Sequence, residues 1–192
     1  MLNPFVAELS EDHFQIEVVL DALERELAPT LPIPEPFLSQ AIQFLHEFGD
    51  EYHHFKEEEV FFPFLASQGV RVEAGPIARM LGDHAELRRL LAGIVDLLPL
   101  LRKQEQRTAR ALRQLVSRYV RLLRNHIEEE ESMQYELSQS LLNEDTGLML
   151  SDIVGRRVAN RVSAARLAEL RSFAAACQQH VELDECYSLA KV

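Results

Sequence analysis

Two copies of one short pattern limit how this chain can fold: a histidine followed four residues later by a glutamate, within sequence of helical periodicity. His53 and Glu57 form the first copy, and His126 and Glu130 form the second. Residues four apart lie on the same helix face, so each copy points a ring nitrogen and a carboxylate oxygen toward one place. A bundle with such pairs on facing helices can bind two metal ions. The sequence therefore predicts a helical metalloprotein.

Helix start and stop signals divide the chain into successive helices, and no alternating strand pattern competes with them. The first helix is predicted to begin at Ser10, a proline-rich break follows it, and Gly69 ends the second helix. Further helices are predicted over about 76–102 and 104–142. Four helices of this kind indicate an all-α fold, an up-down antiparallel four-helix bundle.

We expect the bundle to occupy residues 1–142 and an additional C-terminal helical segment to occupy residues 143–192. This segment has a stripe of apolar residues at helical spacing, which must be covered. The stripe consists of Leu167, Leu170, Ala174, Cys177 and Val181. Two arrangements cover it equally well: packing on the bundle, or a homodimer interface through this segment.

Composition excludes several classes of protein. The 192 residues are 47% apolar and 27% charged, which is typical of a folded globular domain. A formal net charge of −11 argues against a nucleic-acid partner, and no apolar stretch approaches the roughly 20 residues that span a membrane. Because only Cys177 and Cys186 are present, we expect no disulfide framework and a cytoplasmic protein.

Helical phase decides which histidines and glutamates face the core, since each residue advances about 100° around an α-helix. With His53 as reference, the apolar residues of the second helix fall within about 80° on either side, and Glu57 lies near the centre of that arc. The rival pair His54 and Glu58 lies about 100° and 140° around, so both are predicted to meet water.

The same test places one inward histidine on each of the four helices. His126 and Glu130 fall in the apolar stripe of the fourth helix, and His13 and His84 fall in those of the first and third. The candidate metal ligands are therefore His13, His53, Glu57, His84, His126 and Glu130. Buried polar groups need partners, and a shared metal would satisfy all six together. A hydrogen-bonded polar core without metal is the alternative.

Several segments resemble the hemerythrin-like proteins of the His-His-Glu cation-binding type over roughly residues 8–142. The strongest likeness is "YHHFKEEEVFFPFL", which contains His53, Glu57 and Pro63. The other segments are "EDHFQIEVVL", "GPIARMLGDHAELRRLL" and "NHIEEEESM". Their order matches the family pattern of His, His-x-x-x-Glu, His and His-x-x-x-Glu.

This resemblance implies a bundle around two iron ions, a non-haem di-iron centre with the six candidates as ligands and Glu57 and Glu130 as bridging carboxylates. Oxygen-carrying hemerythrins have a further histidine one turn beyond His84, where this chain has Arg88. One nitrogen ligand is therefore missing, which favours redox chemistry or sensing over simple oxygen carriage. The same ligand types also suit manganese or zinc.

Three functions fit these residues. The first is a module that binds or senses a small diatomic gas, oxygen or nitric oxide, or peroxide. The second is a di-iron oxidase or peroxidase, or a protein that handles iron in repair or storage. The third is a structural protein that dimerises through residues 143–192.

Overall fold

The computed structural model describes residues 3–29, 32–101 and 106–189, and this part of the chain is helical with no strand. The helices in chain order are α1 (Pro4–Glu26), α2 (Glu35–Phe44), α3 (Phe62–Ser67), α4 (Pro76–Leu101), α5 (Gln106–Leu141), α6 (Glu144–Val158) and α7 (Ala164–Leu189). Two π-helical segments, π1 (Leu45–His54) and π2 (Glu57–Phe61), lie between α2 and α3. The all-α prediction is confirmed, while the up-down order of the bundle stays a prediction.

The first helix begins earlier than predicted. Asn3, and not Ser10, is the N-cap of α1: its side chain accepts a hydrogen bond from the Phe5 amide, and Pro4 occupies the first helical position. A cap and a proline at this position are sufficient to start a helix, so Ser10 lies within it. At the far end of the second helix, Gly69 has a φ of 90°, a left-handed conformation that stops the helix as predicted.

Residues 35–67 form one continuous helix, the second long helix, and its middle is π-helical. Buried positions recur there every four residues, in two adjacent columns. The columns are Phe44, Phe48, Tyr52, Lys56 and Val60, and Leu45, Gly49, His53, Glu57 and Phe61. In an α-helix a four-residue step drifts by about 40° around the axis, so neither column would stay on one face. The wider π turns, bonded from residue i to i+5, keep both columns against the core.

The prediction that His54 faces water is wrong. Its side chain is only 2% exposed. The phase argument assumed α-helical rotation throughout, but in π1 each residue advances by less than an α-helical residue does. His54 thereby joins His53 on the core side, whereas Glu58 remains partly exposed.

One hydrophobic core joins all the helices, including those of the C-terminal segment. α1 contacts α5, α6 and α7, while α4 contacts α5 and the second long helix. Leu150 and Val154 of α6 and Leu170 and Ala174 of α7 are buried in this core. The segment therefore packs on the bundle, chiefly against α1. The division of the chain into domains at residue 142 stays a prediction, as does a homodimer.

A helix must be both long and apolar to cross a membrane. Among the described residues, none of the helices combines the length and the apolar character needed to cross a membrane.

Candidate metal centre

Four helices bring the predicted site residues to one place in the core. α1 provides His13, the second long helix provides His53 and Glu57, α4 provides His84, and α5 provides His126 and Glu130. Each of these side chains is at most 1% exposed. The structure thus brings the whole predicted set together, and their role as metal ligands stays a prediction.

The candidate ligand atoms form two groups that share one residue. Group one consists of His13, His53, Glu57 and Glu130, and group two consists of His54, Glu57, His84 and His126. Within each group the ligand atoms lie within 4.8 Å of one another. Glu57 belongs to both groups, so the cluster has the layout of two adjacent cation positions.

The two oxygens of Glu57 face different groups. Oε1 lies 3.2 Å from Nε2 of His53, and Oε2 lies 3.4 Å from Nε2 of His84. A carboxylate placed in this way can bridge two ions, with one oxygen for each.

Glu130 also connects the groups. Its Oε2 lies 3.4 Å from Nε2 of His13 and 3.3 Å from Nε2 of His126. Its Oε1 accepts a 2.6 Å hydrogen bond from Nε2 of Gln134, a fully buried amide that sequence reasoning did not identify. Gln134 is four residues after Glu130, the spacing that places both on one helix face. The amide therefore fixes the orientation of the Glu130 carboxylate.

His54 is the ligand candidate that the sequence analysis missed. Its ring stacks on that of His84, with centroids 3.8 Å apart and planes at 16°. Group two therefore has three imidazoles, and the candidate nitrogen that is absent at Arg88 has a counterpart in His54 of the second long helix. The four-residue repeat of core residues gives no indication of this, because His54 lies in neither of its two columns.

Each imidazole in the cluster has a carboxylate near its other ring nitrogen, Nδ1. The pairs are His13 with Glu131 at 3.2 Å, His53 with Asp12 at 3.4 Å, His54 with Asp50 at 3.3 Å, His84 with Glu58 at 2.7 Å, and His126 with Asp83 at 3.7 Å. Such carboxylates orient metal-binding histidines and set which nitrogen keeps the proton. This arrangement leaves the Nε2 atoms facing the interior of the cluster.

Arg88 stands outside the cluster and acts on two of these carboxylates. Its guanidinium lies 2.6 Å from Oδ1 of Asp50 and 2.9 Å from Oε1 of Glu58. Burial raises the pKa of Asp50, but its hydrogen bonds with His54 and Arg88 outweigh this and lower the pKa well below its usual range. Arg88 thus holds in place the partners of His54 and His84.

The cluster attracts positive charge. Burial by itself lowers the pKa of His13, but the neighbouring carboxylates of Glu130 and Glu131 outweigh burial and raise that pKa to about 10. Burial likewise opposes protonation of His84, yet Glu57 and Glu58 raise its pKa to about 9. Without a metal ion, protons on these rings therefore balance the buried carboxylates at neutral pH.

Buried polar atoms without a hydrogen-bond partner indicate whether the cluster could hold a metal ion. Among the described residues, several buried polar atoms that face the cluster have no hydrogen-bond partner. They are Nε2 of His13, His53 and His54, both carboxylate oxygens of Glu57, and Oε2 of Glu130. Unpartnered buried polar atoms are costly. Imidazole nitrogens and carboxylate oxygens in one cluster suit a first-row transition metal, so the residues fit such an ion.

We expect the metal-free protein to lose stability as the pH rises above neutrality. The pKa values of His13 and His84, about 10 and about 9, lie above the ordinary value of 6.5. Stability from these protonated rings is fully present below about pH 6.5 and is lost as the pH rises through 9 and 10. Urea unfolding of the metal-free protein across this range measures the change.

The variant His84→Gln serves as the control, because it removes one of the two raised groups. Its stability should decline less steeply over the same pH range. A metal-free protein whose stability is constant or increases between neutrality and pH 10 would contradict the charge balance described here.

Comparison with known proteins adds family membership. The family described as Hemerythrin HHE cation binding domain matches residues 5–138, which is more than half of the chain and includes every residue of both groups. Neither the curated proteins nor the solved structures contain a significant match. The chain belongs to the hemerythrin HHE cation-binding family.

Proposed function

We propose that this protein is a non-haem di-iron protein that binds or senses oxygen, nitric oxide or peroxide. The observation that carries the proposal is the position of Glu57, whose two oxygens face His53 in group one and His84 in group two. A fully buried carboxylate between two sets of imidazoles is well suited to bridge two cations.

In this proposal His13 and His53 bind one ion, and His54, His84 and His126 bind the other. Glu57 and Glu130 would be shared between the two positions, with Gln134 holding Oε1 of Glu130. When bound, ferrous iron supplies electrons to a small oxidant or binds nitric oxide directly. Manganese and zinc accept the same ligand types, so iron is proposed from the family and not from the donor atoms.

The unequal number of imidazoles in the two groups suggests where a small molecule binds. Group one contains two histidines and group two contains three. With both carboxylates shared as proposed, group one has the fewer protein ligands, and such a position keeps more room for an external ligand. All the ligand side chains are buried, which favours a ligand of few atoms, such as a diatomic gas or peroxide, over a larger one.

Iron loading tests this function directly. The metal-free protein, loaded anaerobically with Fe²⁺, should retain two iron ions per chain after desalting, measured by elemental analysis. Exposure to oxygen or nitric oxide should then produce an absorption band in the near-ultraviolet or visible region, since the ions change their ligands or oxidation state. Retention of no iron, or a spectrum unchanged by both gases and by peroxide, would contradict the proposal.

Glu57→Gln should lower the iron content to one ion per chain or fewer. Glutamine keeps the size of the side chain but removes the charge and one of the two acceptor oxygens that face the groups. Elemental analysis after loading measures the loss. Glu59→Gln is the matched control, because Glu59 lies on the same helix with an exposed side chain, and it should retain two ions. Equal iron contents in both variants would show that Glu57 does not bridge.

His54→Ala should lose the ion of group two while keeping that of group one. The His54 ring stacks against His84 and is a candidate of group two, whereas the sequence predicted that it meets water. His46→Ala is the control, because His46 lies on the same helix and is exposed. Iron content and the absorption spectrum of both variants decide the point, and wild-type values for His54→Ala would show that His54 only packs in the core.

A further inference from the structure

Lys56 is a fully buried lysine that belongs to neither group of candidate ligands. Its Nζ donates to Oδ2 of Asp12 at 2.6 Å and to Oε1 of Glu8 at 2.7 Å, and it lies 4.0 Å from the centre of the Tyr52 ring. An ammonium group is costly to bury unless it is paired. Asp12 and Glu8 therefore offset the cost of burying the Lys56 charge.

Asp12 connects this lysine to the cluster. Oδ2 of Asp12, the oxygen that Lys56 contacts, also lies 3.4 Å from Nδ1 of His53. The opposite nitrogen of His53, Nε2, lies 3.2 Å from Oε1 of Glu57. Lys56, Asp12 and His53 therefore form a continuous chain of polar contacts that ends at the bridging carboxylate.

This chain differs from the outer contacts of the other imidazoles. Asp12 is 1% exposed, whereas the carboxylates beside the other four rings are between 19% and 48% exposed. Lys56 is fully buried, whereas Arg88, which serves Asp50 and Glu58, is 41% exposed. Water can therefore replace the partners of the other rings more readily than that of His53.

The position of Asp12 depends on few contacts. Its Oδ1 has no hydrogen-bond partner among the described residues, so the carboxylate is held through Oδ2 alone. The contact with Lys56 is much shorter than the one with His53, at 2.6 Å against 3.4 Å. Lys56 is thus the group that fixes where the carboxylate lies.

We propose that Asp12 is the positioning residue for His53, and that Lys56 holds Asp12 in the orientation this requires. Asp12 accepts the Nδ1 proton of His53, so the lone pair of Nε2 faces group one. This inference rests on the proposed metal-binding function and assigns roles to two residues that are not ligands themselves. The alternative is that Lys56 and Asp12 form an ion pair that only stabilises the contact between α1 and the second long helix.

A pair of variants separates these two roles. Asp12→Asn leaves Lys56 without its most buried partner, so it should lower both stability and metal affinity. Asp12→Asn combined with Lys56→Met removes both charges, so neither is left buried without a partner. We expect the double variant to regain most of its melting temperature but not its metal affinity.

Titration of metal-free protein with Co²⁺, followed by absorbance, measures the affinity of both positions. Loss of an outer partner of a ligating histidine typically costs about 10- to 100-fold in metal affinity, and we expect this loss at one of the two positions only. Glu8→Gln is the matched control: it removes the other partner of Lys56, which is partly exposed, and leaves Asp12 in place. Its Co²⁺ affinity should stay within about threefold of wild type, well short of that loss.

Nuclear magnetic resonance of the metal-free protein gives a readout that needs no ion. The Nδ1 proton of His53, identified by its absence in His53→Gln, should exchange slowly with solvent in wild type and rapidly in both Asp12 variants. Slow exchange in those variants would overturn the role of Asp12.

The outcomes of the titration distinguish the two proposals. If wild type binds no Co²⁺, the metal-binding function and this inference both fail. If wild type binds two ions and Asp12→Asn binds them equally well, only the positioning role fails. If affinity recovers together with melting temperature in the double variant, the pair is purely structural.

Discussion

The structure depends on the interaction between the buried carboxylate of Glu57 and the histidines beside it. A charged group without contact to water costs several kcal/mol unless neighbouring charges compensate it. The histidines beside it supply that compensation, and the raised pKa values of His13 and His84 show how strongly the carboxylates favour positive charge. Protons and metal ions therefore compete for one set of atoms. Without these histidines, the apolar core of the bundle would not stabilise the buried carboxylate.

Much of the fold could be predicted from the sequence, because helical periodicity and stop signals are local properties. Gly69 ends a helix by its own backbone preference, and the all-α class followed from such features. The start of α1 was placed too late because Ser10 is also a good cap, although the adjacent Asn3 and Pro4 form a complete local start signal. The π-helical middle of the second long helix also escaped prediction, because phase counting assumes one rotation per residue throughout.

The candidate site likewise combines residues that local sequence signals identify with residues that only packing identifies. The six candidate residues were found because α-helical phase still places His53 and Glu57 on the core side despite the π turns. His54 was assigned to the surface because a small change in rotation per residue decides its position. Asp12 and Gln134 could not be identified, since their roles depend on contacts between and along helices that composition does not reveal. Sequence patterns identified the inner atoms of the cluster, and packing identified the groups that support them.

The different exposure of Arg88 and Lys56 makes the two halves of the cluster respond differently to dissolved salt. Dissolved ions weaken the attraction between solvent-exposed charges but hardly affect buried pairs. Added electrolyte therefore weakens the attraction of Arg88 for Asp50 and Glu58 and leaves that of Lys56 for Asp12 nearly unchanged. The orientation of His54 and His84 therefore depends on the salt concentration, whereas the orientation of His53 does not.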